Sequence, residues 1–282
     1  MSSPRQKFPV QLCLAALLFS LSALRAQDTN RSLYFDGARN GSIVIVPFHP
    51  SQNLYQKTGQ LTYELWVKPD SSGIGGALIN KAIGVCKDNW CLGGGVKDLR
   101  FSTGNSCRGE ESGVTGPGLR PGQWQHVAGV WDGRTVRIYV NGELSASVEY
   151  VGQPTADDIA MSIGANNHWN DDYVSFAGWI DEVRYSSIAR YHGPFQPKRR
   201  HVPDEHTVFL FHFDEGKGTS ATDDSEAKLV ADVQEAVWSE DCPRMLRTPY
   251  ERDEHTLILE SFDGGGRRAE DVAAPATVPG AP

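Results

Sequence analysis

The stretch Q-W-Q-H-V-A-G-V-W-D-G-R-T-V-R-I-Y-V-N-G, residues 123–142, decides the fold of this chain. Asp132-Gly133 and Asn141-Gly142 are dipeptides that tolerate positive φ, so each predicts a tight type I′ hairpin turn. Between them Val136, Ile138 and Val140 alternate with Thr135, Arg137 and Tyr139. A period of two marks a strand with one apolar and one wet face. Before the first turn Trp124, His126, Ala128 and Val130 share one face, and Val127, Gly129 and Trp131 the other. After the second turn Leu144, Ala146, Val148 and Tyr150 continue the alternation. The stretch therefore reads as a three-stranded antiparallel meander.

Outward from the meander the same grammar repeats. Residues 33–47 hold two strands around Asp36-Gly37, stopped by Pro47. L-T-Y-E-L-W-V-K at 61–68 alternates and ends at Pro69, with Glu64 and Trp66 on one face. Short strands are predicted at 77–82, 98–102, 159–164, 177–185 and 207–213, with 236–238 closing the sheet and one helical turn within 186–191. The segment 84–118 carries nine glycines and reads as short strands joined by irregular loops. Residues 214–236 read as polar, and the basic run Lys198-Arg199-Arg200-His201 as a solvated loop. Many short strands, frequent turns and almost no helix predict an all-β antiparallel sandwich.

Composition agrees. The chain has 282 residues, 39% of them hydrophobic, with 29 glycines and 16 prolines. That is enough apolar matter for a substantial core and enough turn formers for many strands. Arg5 and Lys7 precede an apolar run from Val10 to Leu24. The run is shorter than the ~20 residues of a spanning helix, so residues 1–26 read as a cleaved secretory signal, leaving no membrane span and a secreted or extracytoplasmic chain. The whole chain carries −8; losing Arg5, Lys7 and Arg25 with the signal, and no acid, makes it −11. That sign argues against nucleic acid as a partner. Four cysteines remain after cleavage: Cys86, Cys91, Cys107 and Cys242. An even count in an exported chain predicts disulfides, one of them local to 86–107, with the connectivity open.

Four segments then allow a family comparison. L-Y-F-D-G at 33–37, L-T-Y-E-L-W-V-K-P at 61–69, W-Q-H-V-A-G-V-W-D-G-R-T-V-R-I-Y-V-N-G-E at 124–143 and F-A-G-W-I-D-E-V-R-Y at 176–185 resemble, in order and spacing, the laminin G-like domains of the concanavalin A-like superfamily found in exported bacterial proteins. The resemblance covers residues 31–242 and implies a jelly roll, a scaffold that hosts lectins, adhesion modules and some enzymes. It also implies a structural calcium ion near the early Phe-Asp-Gly turn and the late Ile-Asp-Glu strand, with Asp181 and Asp36 as ligands among the 6–8 oxygens calcium needs. The plainer reading has Asp36 stabilising a turn and Asp181 bonding backbone.

Two groups of residues suit a glycan. In the loop 165–175, Asn167, His168, Asn170 and Asp172 can bond sugar hydroxyls while Trp169 stacks on a pyranose face. Glu64 and Trp66 can line a groove on a concave sheet face, or stay partly buried against a neighbouring strand. His126 reads as structural. Asp181 and Glu182 alternate onto opposite faces, which suits no shared glycosidic bond, and no paired-carboxylate, nucleophile-elbow or metalloprotease pattern is present. The expected protein is a secreted, non-catalytic binding module for carbohydrate or a cell-surface ligand. The other readings are a protein-interaction domain of a surface assembly and a polysaccharide-active enzyme. The domain is expected over 27–242, with a tail at 243–282 in which D-E-H-T-L-I-L-E-S-F-D-G-G-G-R at 253–267 echoes 204–218.

Overall fold

The computed structural model describes residues 30–82, 88–104, 112–150, 156–166 and 175–243. The expected signal segment, the tail with its echo, Cys86 and Cys107 lie outside them. Among the described residues sixteen strands form two antiparallel eight-stranded sheets packed face to face. The first sheet runs β10 (Glu143–Glu149), β9 (Thr135–Val140), β8 (Gln125–Trp131), β3 (Leu61–Pro69), β12 (Ala177–Ser186), β1 (Ser32–Asp36) and β16 (Val237–Ser239), with β13 (Thr207–Phe211) also on β12. The second runs β14 (Ser220–Thr222), β15 (Val230–Gln234), β2 (Ile43–Val46), β11 (Met161–Ile163), β4 (Gly76–Ala82), β5 (Asp88–Gly94), β6 (Asp98–Gly104) and β7 (Ser112–Pro117).

The deciding stretch forms β8 and β9, and β10 completes the meander. Its two turns differ. Asn141 and Gly142 both have positive φ, +52° and +83°, as a type I′ turn requires. At the first turn only Gly133 does, at +90°, and three residues separate the strands. There the Asp132 carboxylate accepts from the Arg134 and Thr135 amides at 3.0 and 2.7 Å. That local bond replaces the backbone geometry of a two-residue turn.

Leu61, Tyr63, Leu65 and Val67 of β3 and Val127 and Trp131 of β8 face the second sheet, as the alternation predicts. Trp90 sits at the centre of the core, with Phe101 and Trp131 ring centroids 5.0 and 5.1 Å away. Gly129 makes room for this packing, since a Cβ there would fall 2.7 Å from the Phe101 ring. Strands β14 and β15 lie in the segment read as polar. Their signal is faint because β14 is a three-residue edge strand and its neighbour β15 buries Ala231 and Val233 while Val230, Asp232 and Gln234 are exposed.

The expected wet face of the first sheet is covered. After β12 the chain crosses back over it as an extended strap, residues 187–206, before entering β13. No helical turn forms at 186–191. Ala189, Tyr191 and Phe195 of the strap pack on Ala128, Val130 and Tyr139 as a second, smaller core. Phe195 N–H donates to the Gly142 carbonyl at 3.0 Å, and a Cβ on Gly142 would fall 1.8 Å from the Phe195 oxygen. Gly142→Ala is therefore expected to lower stability by about 2–4 kcal/mol through positive φ and lost strap docking. Gly122→Ala, also at positive φ but with nothing within 4 Å, should lose only about 1 kcal/mol. Urea unfolding of the two variants checks the difference.

Candidate functional site

Glu64 and Trp66 do not line an open groove. Glu64 is 0% exposed and Trp66 5%, because the strap lies over both. Trp66 Nε1 donates to the Lys198 carbonyl at 3.0 Å, and the Arg199 guanidinium stands 4.6 Å over the indole ring. The Lys198–His201 run is thus the strap's anchor and not a solvated loop. Glu64 Oε1 accepts from Arg184 Nε and Nη2 at 2.8 and 2.7 Å. Its Oε2 accepts from the Tyr191 hydroxyl at 2.7 Å and lies 3.2 Å from His126 Nε2. Burial alone would raise the Glu64 carboxyl; the His126 hydrogen bond and the Arg184 charge instead hold it well below the ordinary range. Burial also pushes the His201 imidazole down to about 3, so that ring is neutral at pH 7 and Arg184 is the close cation holding Glu64. His126, read as structural, sits fully buried in this network.

The two aspartates expected to hold calcium stand apart. Asp36 pairs with Ala177 and Leu33 with Ile180, so Asp181 lies four positions further along the ladder, roughly 13 Å away at strand pitch. One ion cannot take both. Asp36 Oδ1 accepts from Ala38 N, Ser42 N, Ser42 Oγ and Ser175 Oγ, at 2.9–3.3 Å. These donors fill an oxygen that a cation would need. Asp181 is 0% exposed; Oδ1 accepts from Glu182 N at 2.7 Å and Oδ2 has no partner. A bulge in β12 between Asp181 and Arg184, with Glu182 at φ +52°, breaks the strand alternation. Asp181 and Glu182 therefore do not follow the opposite-face pattern of a regular strand. Glu182 accepts from His201 N and lies 3.4 Å from Arg200, whose guanidinium also acts on Asp181. Burial first, then the Glu182 charge, raises the Asp181 carboxyl well above the usual range. A raised acid costs stability in full at pH above its folded value, and the cost shrinks as pH falls from there toward the unfolded value, where it vanishes. Asp181→Asn is expected to raise the melting temperature at pH 7, by about 1 kcal/mol or more of stability, with the gain shrinking on acidification. A lower melting temperature for the variant, matched by chelator treatment of the parent, would instead place a cation on Asp181.

The open site lies on the other sheet. A cleft of about 750 Å³ runs along the outward face of β4, β5 and β6. Register explains it. Leu92, Phe101 and Ile79 turn into the core, so Cys91, Gly93, Arg100 and Ser102 turn outward. Gly73, Gly75 and Gly76 form one wall, and Gly93, Gly94 and Gly95 another. Side chains cannot replace these walls: a Cβ on Gly76 would fall 2.6 Å from Phe176 N, and one on Gly94 2.3 Å from the Asp98 carbonyl. Lys97, Asp98, Arg100, Ser102 and Asn166 supply the polar side chains. Cys91 lies here, and no disulfide joins it to Cys242, which is buried elsewhere in the chain's fold. Of the predicted loop 165–175, Asn166 reaches the cleft, whereas Asn167, His168, Trp169, Asn170 and Asp172 lie outside the described residues. The glycine run was legible as irregular loops; that it walls a cleft follows only from strand pairing.

Residues 46–192 match the concanavalin A-like lectin/glucanases superfamily. The chain belongs to that superfamily. No curated protein matches it. Among solved structures it is similar to a Bacteroides ovatus protein described as a candidate carbohydrate binding protein, at 20% identity and a TM-score of 0.58, covering 76% of this chain. This chain spans 61% of that protein's length. Domains LG4-5 of the mouse laminin alpha1 chain are similar at 16% identity over 60% of this chain and 47% of that one, with a TM-score of 0.42. The Ruminococcus gnavus IT-sialidase CBM40, bound to alpha2,3 sialyllactose, is similar at 16% identity over 56% of this chain and 92% of that one, also with a TM-score of 0.42. At these identities the likeness is one of fold, and the superfamily fold is the one the four sequence segments imply.

Proposed function

We propose that this chain is an exported, non-catalytic carbohydrate-binding module whose ligand lies in the glycine-walled cleft of the second sheet. The observation that carries this reading is the cleft's construction. Six glycines bring backbone carbonyl and amide groups to the walls, while Arg100, Ser102, Asp98 and Asn166 offer side-chain donors and acceptors beside them. A sugar presents hydroxyls that both donate and accept, and such a mixed polar wall can bond them in pairs. The volume falls in the range of small-ligand sites. Asn166 leads in sequence into the Asn167–Asp172 ligand set, so the cleft and the predicted loop belong to one reading. The family's scaffold hosts lectins, and the description of the Bacteroides ovatus protein agrees with carbohydrate as the ligand class.

The non-catalytic part of the reading rests on the same residues. Asp98 supplies the lone carboxylate among the described lining residues, whereas glycoside hydrolysis ordinarily uses two, one on each side of the scissile bond. Export rests on the N-terminal signal pattern. Among the described residues no helix is long and apolar enough to cross a membrane.

A glycan array followed by calorimetry tests the reading. The parent protein is expected to bind at least one glycan class, and Arg100→Ala and Asn166→Ala each to weaken it tenfold or more, ~1.4 kcal/mol. Folded protein that binds no glycan, or binding unchanged in both variants, contradicts the assignment of the cleft.

A further inference from the structure

One further constellation is independent of the cleft. Among the described residues, Glu64, His126 and His201 are a group whose ligand atoms all lie within 4.8 Å of one another. Glu64 Oε2 stands 3.2 Å from His126 Nε2 and 3.8 Å from His201 Nε2. We propose that these three side chains form an enclosed binding site for a nitrogen-seeking dication of the zinc class, held between the first sheet and the strap.

Three observations carry it. The spacing is close: bonds of about 2.0–2.2 Å at tetrahedral angles set ligand atoms about 3.3–3.6 Å apart, so the 3.2 and 3.8 Å distances from Glu64 Oε2 need shifts of a few tenths of an ångström, and the widest separation, within 4.8 Å, closes by about 1 Å through rotation of the two imidazoles. The second is His201. Its side chain is 1% exposed, neither ring nitrogen has a hydrogen-bond partner, and Nε2 stands closest to the shared carboxylate oxygen. A buried imidazole with both nitrogens unmet is costly, and a metal ion satisfies one of them directly. The third is rigidity. Glu64 comes from β3, His126 from β8 and His201 from the strap, and Glu182 accepts the His201 backbone N–H at 2.7 Å. A site shared by three elements on two layers holds its donors in place.

The surroundings select the ion. Arg184 occupies Glu64 Oε1, so Oε2 is the oxygen turned to the two imidazoles, and it can keep its 2.7 Å hydrogen bond from the Tyr191 hydroxyl while offering another lone pair to the metal. The Arg184 and Arg190 guanidiniums lie 2.7 and 3.9 Å from Oε1 and oppose any dication. Two imidazoles and one oxygen favour zinc, copper or nickel over calcium, which requires 6–8 oxygens. Because His201 rides on the strap, binding would also pin the strap to the sheet.

Cobalt and zinc are the probes. The full chain, stripped with chelator, is titrated with cobalt while visible absorption is followed, and with zinc while the melting temperature is followed. The expected result is one ion per chain, a tetrahedral cobalt band, and a zinc-dependent rise of about 5 °C or more at a hundredfold excess over Kd. His201→Gln should lose both signals. X-ray absorption of the cobalt-loaded parent needs no variant and should show two imidazole nitrogens and a carboxylate at about 2.0–2.2 Å. Absence of stoichiometric binding by the parent overturns the site, as does sulfur ligation, or an equal zinc shift in folded His201→Gln.

Discussion

A carboxylate with no access to water organises the first sheet. Glu64 sits on β3, in the middle of that sheet, on the face turned away from the main core. An isolated buried charge would cost several kcal/mol, so its partners must be in place whenever the sheet is folded. Arg184 of the neighbouring strand supplies the cation, and Tyr191 of the strap supplies a hydroxyl. The strap is therefore tied to the sheet by polar chemistry at its centre and by Ala189, Tyr191 and Phe195 packing at its side. The β12 bulge serves the same arrangement: it brings Arg184 into register with Glu64 while Glu182 takes the His201 amide.

Closing one face leaves the other for the proposed ligand site. The strap removes Glu64 and Trp66 from ligand reach, and the outward face of β4, β5 and β6 stays open. Its glycines are held by backbone proximity, as the contacts of Gly76 and Gly94 show, so the cleft's shape is set by main chain. In the proposed function, specificity would fall to Asp98, Arg100, Ser102 and Asn166.

Much of the fold was legible because burial imposes period. Val127 and Trp131, or Leu61, Tyr63, Leu65 and Val67, announce a core face directly. The covered face was not legible, since Glu64, His126, Arg184 and His201 read as polar until strand register and the returning strap bring them together. Polar residues alternate with apolar ones equally well on a solvated face and on a face buried against a polar network. The first turn was misread for a local reason: Asp132 satisfies the Arg134 and Thr135 amides itself. The cleft was half legible. Its glycine run and the Asn166 loop stood out, but their meeting depends on β11 pairing with β4 across the sheet.

Hydrogen exchange of the strap amides in Glu64→Gln tests the central claim most directly. The variant keeps size and shape but leaves Arg184 without its counter-charge. The account predicts lost protection across residues 187–206 and a global stability lower by about 3–5 kcal/mol, the usual cost of breaking a buried pair. Strap protection and stability equal to the parent's would contradict it.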